Sequence, residues 1–258
     1  MATGRQRKQT REELRVLLLD TGRAILQEEG LGTGAEALTF KRVFDRVEKE
    51  TGVRLTNASI IRRVWDNQAE FQADVLVSIA TDDGSAEIEY TEAAIAQFLE
   101  ELDVSSPEGR WRSAAELCRV ARAANIEALE HSPNWTSWIG VWALATAGDT
   151  HEHHRRIEAA LVDGYNTFTR RFVELYAGMA ALLGFRLRDG LTLRQFAIAA
   201  ESLAEGCALR SRVDRSDMFG IVRPTGPGEA PREWTLFSVG LEALALQFFD
   251  LDPEWAPA

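Results

Sequence analysis

The sequence predicts an all-α fold, with an N-terminal helix-turn-helix DNA-binding domain followed by a helical ligand-binding and dimerisation domain. Apolar residues recur at 3.6-residue spacing over long stretches, and the 258 residues include only 7 prolines. No repeat period and no series of strand-like runs is visible. Within residues 39–71, two short helical patterns flank Gly52, and the second is basic and polar. That layout is typical of a helix-turn-helix.

The N-terminal region contains four helical patterns. Thr39 is an N-cap residue for the second pattern, and Gly52 ends that pattern as a C-terminal cap glycine does. Thr56 caps the third, which closes on the aromatic Trp65. The predicted ranges are about 11–29, 39–51, 56–65 and 67–80.

The remainder of the chain also has helical periodicity, interrupted by Ser, Pro and Gly clusters. Residues 222–231 are too rich in Pro and Gly to be helical. Gly164 and Gly178 lower the helix propensity of the longest helical pattern, residues 151–184, so a kink or a break at either glycine is compatible with the sequence. Two domains are expected, residues 1–73 and 74–258. The further helices are predicted at 85–102, 108–130, 134–147, 151–184, 192–212 and 232–250.

Charge is divided unevenly between the two predicted domains. The whole chain has a formal net charge of -11. Residues 1–73 hold 13 Lys and Arg against 11 Asp and Glu, a net charge of +2, so residues 74–258 have a net charge of -13. A basic N-terminal domain joined to an acidic C-terminal domain is expected if only the N-terminal domain binds a polyanion. A small difference of this kind could also arise by chance.

Composition and motifs argue against several classes of protein. The two cysteines, Cys118 and Cys207, lack CxxC spacing and suit a reducing compartment. No apolar run reaches the length of a membrane span, and the N-terminus lacks the apolar core of a secretory signal, so a cytoplasmic protein without membrane contact is expected. No phosphate loop, GxSxG or HExxH occurs, so we expect no enzyme activity, catalytic residue or cofactor. His151 and His154 lack a third ligand, so no metal site is expected.

Several features in order carry a resemblance to a known family. A helix ends in Glu-Glu-Gly-Leu, a Thr-started helix leads to Gly52-Val53, a short polar helix closes on Trp65, and Gln-Ala-Glu-Phe opens the fourth helix. LAEGCALRSRVD and LFSVGLEALALQFF follow near the C-terminus. This order resembles the TetR family of transcriptional regulators. The resemblance implies a repressor that binds a double-stranded DNA operator, dimerises through 192–212 and 232–250, and is released by a small-molecule effector.

The chain departs from the family pattern at four places. The second helix and the turn after Gly52 are each about three or four residues longer than usual. Arg62 stands where the family commonly has tyrosine, and Gln68 where it commonly has lysine. Both family positions are associated with phosphate contacts, so Arg62 would keep a charged contact and Gln68 a neutral hydrogen bond.

Residues around the third helix are the predicted DNA contacts. Its first turn usually reaches base edges, and Asn57 suits an adenine edge. Helix capping alone would also explain the small polar residues in that turn. Arginines there and in the leading arm (Arg7, Lys8 and Arg11) suit phosphates. The predicted DNA-binding residues are Arg54, Thr56, Asn57, Ser59, Arg62, Arg63 and Gln68.

Four tryptophans are the predicted ligand-binding residues. Trp135, Trp138 and Trp142 share one helix face, and Trp111 lies in the preceding helix. Aromatic walls with few polar groups are common in small-molecule pockets. A packed core stripe is the alternative, although each buried indole N–H then needs a partner.

Two rival functions remain open. One is a helical ligand-binding or enzyme domain whose first four helices are only structural. The other is an interaction protein of the same fold that has lost sequence-specific DNA binding, which the longer turn and Gln68 would favour.

Overall fold

The computed structural model describes residues 10–31, 35, 38–56, 63–82, 85–122, 126, 128–147 and 152–256. These residues form ten α-helices, one short 3-10 helix (Leu99–Glu101) and four three-residue strands. The helices are α1 (Arg11–Glu29), α2 (Phe40–Thr51), α3 (Gln68–Ala80), α4 (Ser85–Ala96), α5 (Pro107–Arg122), α6 (Ala128–His131), α7 (Pro133–Thr146), α8 (Glu152–Leu183), α9 (Leu193–Val213) and α10 (Leu236–Phe248). The strands are β1 (Phe185–Leu187), β2 (Ile221–Arg223), β3 (Arg232–Trp234) and β4 (Phe249–Leu251).

The predominance of helix confirms the predicted all-α class in its coarse form, but the strands were not predicted. β1 pairs with β4 and β2 pairs with β3, both antiparallel. Three residues are too few to show the alternation that identifies a strand in a sequence. The segment between β2 and β3 is non-helical, as its Pro and Gly content predicted. The strands β3 and β4 shorten the helix predicted at 232–250 to α10.

The longest helix, α8, continues through both of its glycines without a break. Glycine is needed at position 164 because a Cβ there would meet the backbone carbonyl oxygen of Ala80. Glycine at this position therefore allows the two backbones to touch, at the cost of a weaker intrinsic helix propensity.

The chain divides into two compact units. Unit 1 comprises Met1–Asp82 and Pro133–Gly164, and unit 2 comprises Asp83–Ser132 and Tyr165–Ala258. The predicted division after residue 73 has to be corrected, because it would cut through α3. Phe71, Val75 and Ile79 of that helix lie in one hydrophobic core, so its two ends cannot belong to different domains.

Unit 1 is built around the core shared by α1, α2 and α3. Thr39 caps α2, and Gly52 ends it in the left-handed conformation, both as the sequence predicted. Two more helices join the same core, since Val141 of α7 and Ile157 and Leu161 of α8 are buried in it. This participation of α7 was not predicted, because an apolar helix face does not reveal which neighbour it packs against.

Trp65 and Asp74 tie the parts of unit 1 together. The Trp65 ring lies edge-on to Phe71 at a centroid distance of 4.9 Å. Its indole N–H donates to Asp74 Oδ2 at 2.8 Å, and Arg15 donates to the same oxygen at 2.9 Å. Arg156 donates to the other carboxylate oxygen. Burial raises the pKa of Asp74, but these three hydrogen bonds outweigh that effect and hold its pKa below the ordinary value.

Unit 2 contains α4 to α6, the later part of α8, α9, α10 and both strand pairs. Arg110 of α5 is buried and donates to the carbonyl oxygens of Leu183 (2.7 Å) and Gly184 at the end of α8. Its guanidinium lies 4.5 Å from the ring centroid of Trp255. A cation at a helix C-terminus is favourably placed, so Arg110 fixes α5 against the end of α8.

No helix in the described ranges is both long and apolar enough to cross a lipid bilayer.

Replacing Asp74 by Ala is expected to lower the free energy of unfolding by about 1–3 kcal/mol. The Trp65 indole and the two arginines would lose their shared acceptor. Urea unfolding at pH 7 measures this change. The control is Asp45→Ala, since Asp45 is an exposed carboxylate on α2 and its loss should change stability by less than about 0.5 kcal/mol. Equal effects of the two substitutions would contradict the role assigned to Asp74.

Candidate functional site

Five of the predicted DNA-binding residues, Thr56, Asn57, Ser59, Arg62 and Arg63, lie in the sequence between two anchored points of unit 1. Before them, Leu55 packs against the core of the unit. After them, Val64 and Trp65 are buried in that core. Thr56 and Arg63, at the two ends of the stretch, are exposed, and so is Arg54. Asn57, Ser59 and Arg62 lie outside the described residues.

The exposed cations of unit 1 fall into two groups. Arg42 pairs with Glu29, and Arg46 pairs with Glu28 and Glu50, so neither presents a free charge. In contrast, Arg11, Lys41 and Arg54 are exposed and form no ion pair with a carboxylate in the described ranges. The sequence could not separate these groups, because a charge count does not show which charges neutralise one another. Arg7 and Lys8 lie outside the described residues.

Gln68 has a structural contact that the sequence did not predict. Its side-chain oxygen accepts a hydrogen bond from the Phe40 backbone N–H at 3.1 Å. Gln72, one turn later, donates to the Leu38 carbonyl oxygen at 2.9 Å. These bonds fix the first turn of α2, where Lys41 is exposed, against the start of α3. Gln68 therefore lies beside an unpaired cation and a helix N-terminus, which together favour an anion.

Unit 2 contains an apolar cavity bounded by α4, α5, α8, α9 and α10. Its unfilled space is about 690 Å³, counting the part that is open to solvent. Aromatic rings form much of its wall, and Trp111 and Phe185 lie only 4.4 Å apart between centroids. Tyr176 and Phe196 are in edge contact at 4.9 Å. The other large side chains of the wall are Ile95, Leu117, Phe172, Leu175, Met179, Leu183, Leu241 and Phe249.

Only one of the four predicted ligand-binding tryptophans lines this cavity. Trp111 does so, and the other three lie in unit 1. There, Trp135 is buried, Trp138 packs against the hydrophobic core, and Trp142 is 42% exposed. The face shared by these three tryptophans thus serves at least partly to pack α7.

The residues that line the cavity could not be identified from the sequence pattern. Phe172, Tyr176, Met179 and Leu183 follow one face of α8 at helical spacing. Such a stripe is ordinarily interpreted as filled core, so the signal for a cavity was not distinguishable from that for packing. Cys118 also lines the cavity, and Cys207 is buried.

A second cavity lies on the outer side of α5 and α10 and holds about 710 Å³ of unfilled space, again counting its open part. The loop that joins β2 to β3 forms one wall through Thr225, Gly226 and Pro227. Buried Glu116 of α5 holds this hairpin in place, because it accepts hydrogen bonds from Arg232 and, at 3.3 Å, from Thr225. The wall is therefore fixed by a charged contact rather than by apolar packing alone.

Two carboxyl groups on α9 are buried against α8. Thr169 donates to Glu201 Oε2 at 2.9 Å, and the Tyr165 hydroxyl lies 3.3 Å from Glu205 Oε2. Burial raises the pKa of each carboxyl to about 7, although the hydrogen bonds from Thr169 and Tyr165 act in the opposite direction. Mutual repulsion adds to the increase at Glu201, whereas nearby Arg194 opposes it. Both groups are therefore partly protonated at neutral pH.

In comparisons with known proteins, the chain matches no protein-family model and no curated protein. Among the described side chains, no group of three or more His, Cys, Asp or Glu is arranged to hold a metal ion. His151 lies outside those residues. The candidate sites are the surface of unit 1 and the cavities and outer face of unit 2.

The buried carboxyls predict that stability falls between pH 5 and pH 8. A group whose pKa is raised in the folded state stabilises that state below the pKa of the unfolded chain. That contribution is lost as the pH rises through about 7. Glu201→Gln mimics the protonated form, so it should raise the free energy of unfolding relative to the parent protein more at pH 8 than at pH 5.

Urea titrations at the two pH values measure this difference. Glu174→Gln is the matched control, because Glu174 is an exposed carboxylate on α8. Its effect should be the same at both pH values. If the effect of Glu201→Gln were also independent of pH, the assignment of the raised pKa would be wrong.

Proposed function

We propose that this protein is a dimeric DNA-binding transcriptional regulator, a repressor whose operator binding a small-molecule effector relieves. The observation that carries the proposal is the anchored stretch between Leu55 and Val64. Exposed Thr56 and Arg63 stand at its ends, and α2 ends just before it at Gly52, which is in the left-handed conformation. A rigid support under a short polar segment is what base reading in a groove requires.

The unpaired cations of unit 1 support a phosphate-binding role for the same surface. Arg11, Lys41 and Arg54 keep their charge available, whereas Arg42 and Arg46 of α2 are neutralised by glutamates. Contacts between cations and phosphates contribute much of the affinity for duplex DNA and make it depend on salt. Gln68 would add a neutral hydrogen bond at the start of α2.

The outer face of α9 and α10 supports dimerisation with a second copy of the chain. Ile198, Leu209 and Val213 are exposed along α9, and Val213 is 87% exposed. On α10, Leu236 and Leu246 are exposed. The one charged residue of α10, Glu242, pairs with Arg223, so the helix presents no free charge. A two-fold dimer would cover this apolar surface and place two reading segments on a palindromic operator.

In this proposal the effector binds in the cavity of unit 2. It would favour a dimer in which the spacing of the two DNA-binding surfaces no longer matches the operator. The apolar, aromatic wall around Trp111 supports a role in ligand binding. An interaction protein without DNA specificity remains the rival, and the salt bridges that neutralise Arg42 and Arg46 are the observation that favours it.

Selection of duplexes from a random pool is expected to recover a palindromic operator. Its half-sites should be separated by about one helical turn of DNA or a multiple of it. If the selected duplexes share no sequence preference, the protein is not a sequence-specific regulator, and the interaction protein without DNA specificity is favoured.

On the selected duplex, Arg54→Ala combined with Arg63→Ala should weaken binding and make it less dependent on salt. Each lost phosphate contact lowers the slope of log K against log salt by roughly 0.9, which fluorescence anisotropy at several salt concentrations measures. Arg170→Ala combined with Arg186→Ala is the charge-matched control, since both arginines are exposed in unit 2. An equal change in the control would mean that overall charge, and not the proposed surface, controls binding.

Leu209→Glu is expected to convert the dimer to a monomer, because a dimer would bury the new carboxylate in an apolar interface. Analytical ultracentrifugation measures the change in mass. The control is Leu99→Glu, which places the same charge on an exposed leucine outside α9 and α10. A dimer that survives Leu209→Glu would show that another surface mediates association.

A further inference from the structure

The two cavities of unit 2 adjoin each other. Both are lined by Trp111, Ala114, Cys118 and Ala245. Two of these four side chains are single methyl groups, so the wall between the cavities is thin wherever Trp111 does not fill it. A ligand longer than the inner cavity would therefore extend past Ala114 and Ala245 into the outer one.

The inner cavity presents no charge to a ligand. Its polar side chains are Thr91, Cys118 and Tyr176. Burial raises the pKa of the Cys118 thiol to about 12 and raises the pKa of the Tyr176 phenol as well. Both groups are neutral at physiological pH, and no charged side chain lines the cavity, so a charged group placed here would lose hydration without gaining an ionic partner. This compartment therefore suits an uncharged, apolar part of a ligand.

The outer cavity has a mostly apolar wall, but charged side chains also line it, with an excess of negative charge. Glu108, Arg112 and Glu242 line it. Arg112 is already paired with Asp103 and Glu229, and Glu242 is paired with Arg223. Glu108 is exposed and has no ion-pair partner in the part of the chain that the structure describes. These six groups include four carboxylates and two guanidinium groups, so a cation would be attracted here and an anion repelled.

We propose that the joined cavities bind an amphipathic cation, such as a lipophilic amine or quaternary ammonium compound. The apolar body lies among Trp111, Phe172 and Phe196, and the cationic group lies beside Glu108. Fatty acids and acyl phosphates are disfavoured, because their anionic group would face the same carboxylates. The identification of this ligand as the effector rests on the proposed function, but its binding does not.

Three probes with the same ten-carbon chain test the charge preference: decyltrimethylammonium, decanol and decanoate. Isothermal titration calorimetry of each probe with the full chain, below micellar concentrations, measures the dissociation constants. The ammonium probe is expected to bind at least about tenfold more tightly than decanoate, with decanol between them. Equal or tighter binding of decanoate overturns the proposal, and so does the absence of binding by all three.

Variants locate the two ends of the ligand. Glu108→Gln should weaken binding of the ammonium probe by about threefold to tenfold and leave decanol unchanged. Ala114→Phe should weaken both probes, because a ring would fill the junction of the cavities. Glu174→Gln, which removes an exposed carboxylate of α8, is the control and should alter neither. If Glu108→Gln has no effect on the ammonium probe, the cation does not lie where we place it.

The result is separable from the DNA experiments. Binding is measured on the protein alone, so a protein that binds the ammonium probe but selects no DNA sequence retains the site and loses the regulator function. A protein that selects an operator but binds no probe keeps the proposed function and loses this ligand class. If the ammonium probe releases the selected duplex, the ligand that binds the cavities is also the effector of DNA binding.

Discussion

Unit 1 depends on one carboxylate being kept ionised inside a largely apolar structure. Asp74 lies on α3 and receives hydrogen bonds from Trp65, Arg15 and Arg156, so it joins Trp65 to α1 and α8. Taking a carboxylate out of water is costly unless its oxygens are satisfied. The three donors meet that requirement, and the indole ring also packs on Phe71. The position of Trp65 is therefore determined by charge and by packing together.

Unit 2 uses buried charge in a different way. Arg110 and Glu116 occupy the same helix, α5, and each fixes a separate neighbour: the end of α8 in one case and the β2–β3 hairpin in the other. The cavity residues on α5, including Trp111, Ala114 and Cys118, lie around these two anchors in the sequence. Because polar contacts hold the end of α8 and the β2–β3 hairpin against α5, the part of α5 that lines the cavity need not be tightly packed. This arrangement allows empty space to persist in a stable interior.

Local features of the sequence predicted local structure well. The caps at Thr39 and Gly52 and the start of the fourth helical pattern after Asp66 follow from side-chain chemistry within a few residues. Long-range contacts were not predictable from the sequence. Two examples are the packing of α7 in the core of unit 1 and the position of Phe172 and Tyr176 of α8 in the wall of a cavity. A periodic apolar stripe shows that a helix face is covered, but it does not show which part of the chain covers it. Pairing of Arg42 and Arg46 with glutamates likewise depends on folding α1 against α2.

That pairing constrains how DNA binding could work. Once the neutralised arginines are set aside, the described part of unit 1 offers few cations for phosphate contacts, among them Arg11, Lys41 and Arg54. Few contacts release few counterions, so the electrostatic affinity of one head would be modest. Two heads joined by a stable interface behave differently, because binding of the first raises the effective concentration of the second. Under the proposed function, the apolar face of α9 and α10 is therefore a requirement for operator affinity, and any ligand that alters the dimer gains control over DNA binding.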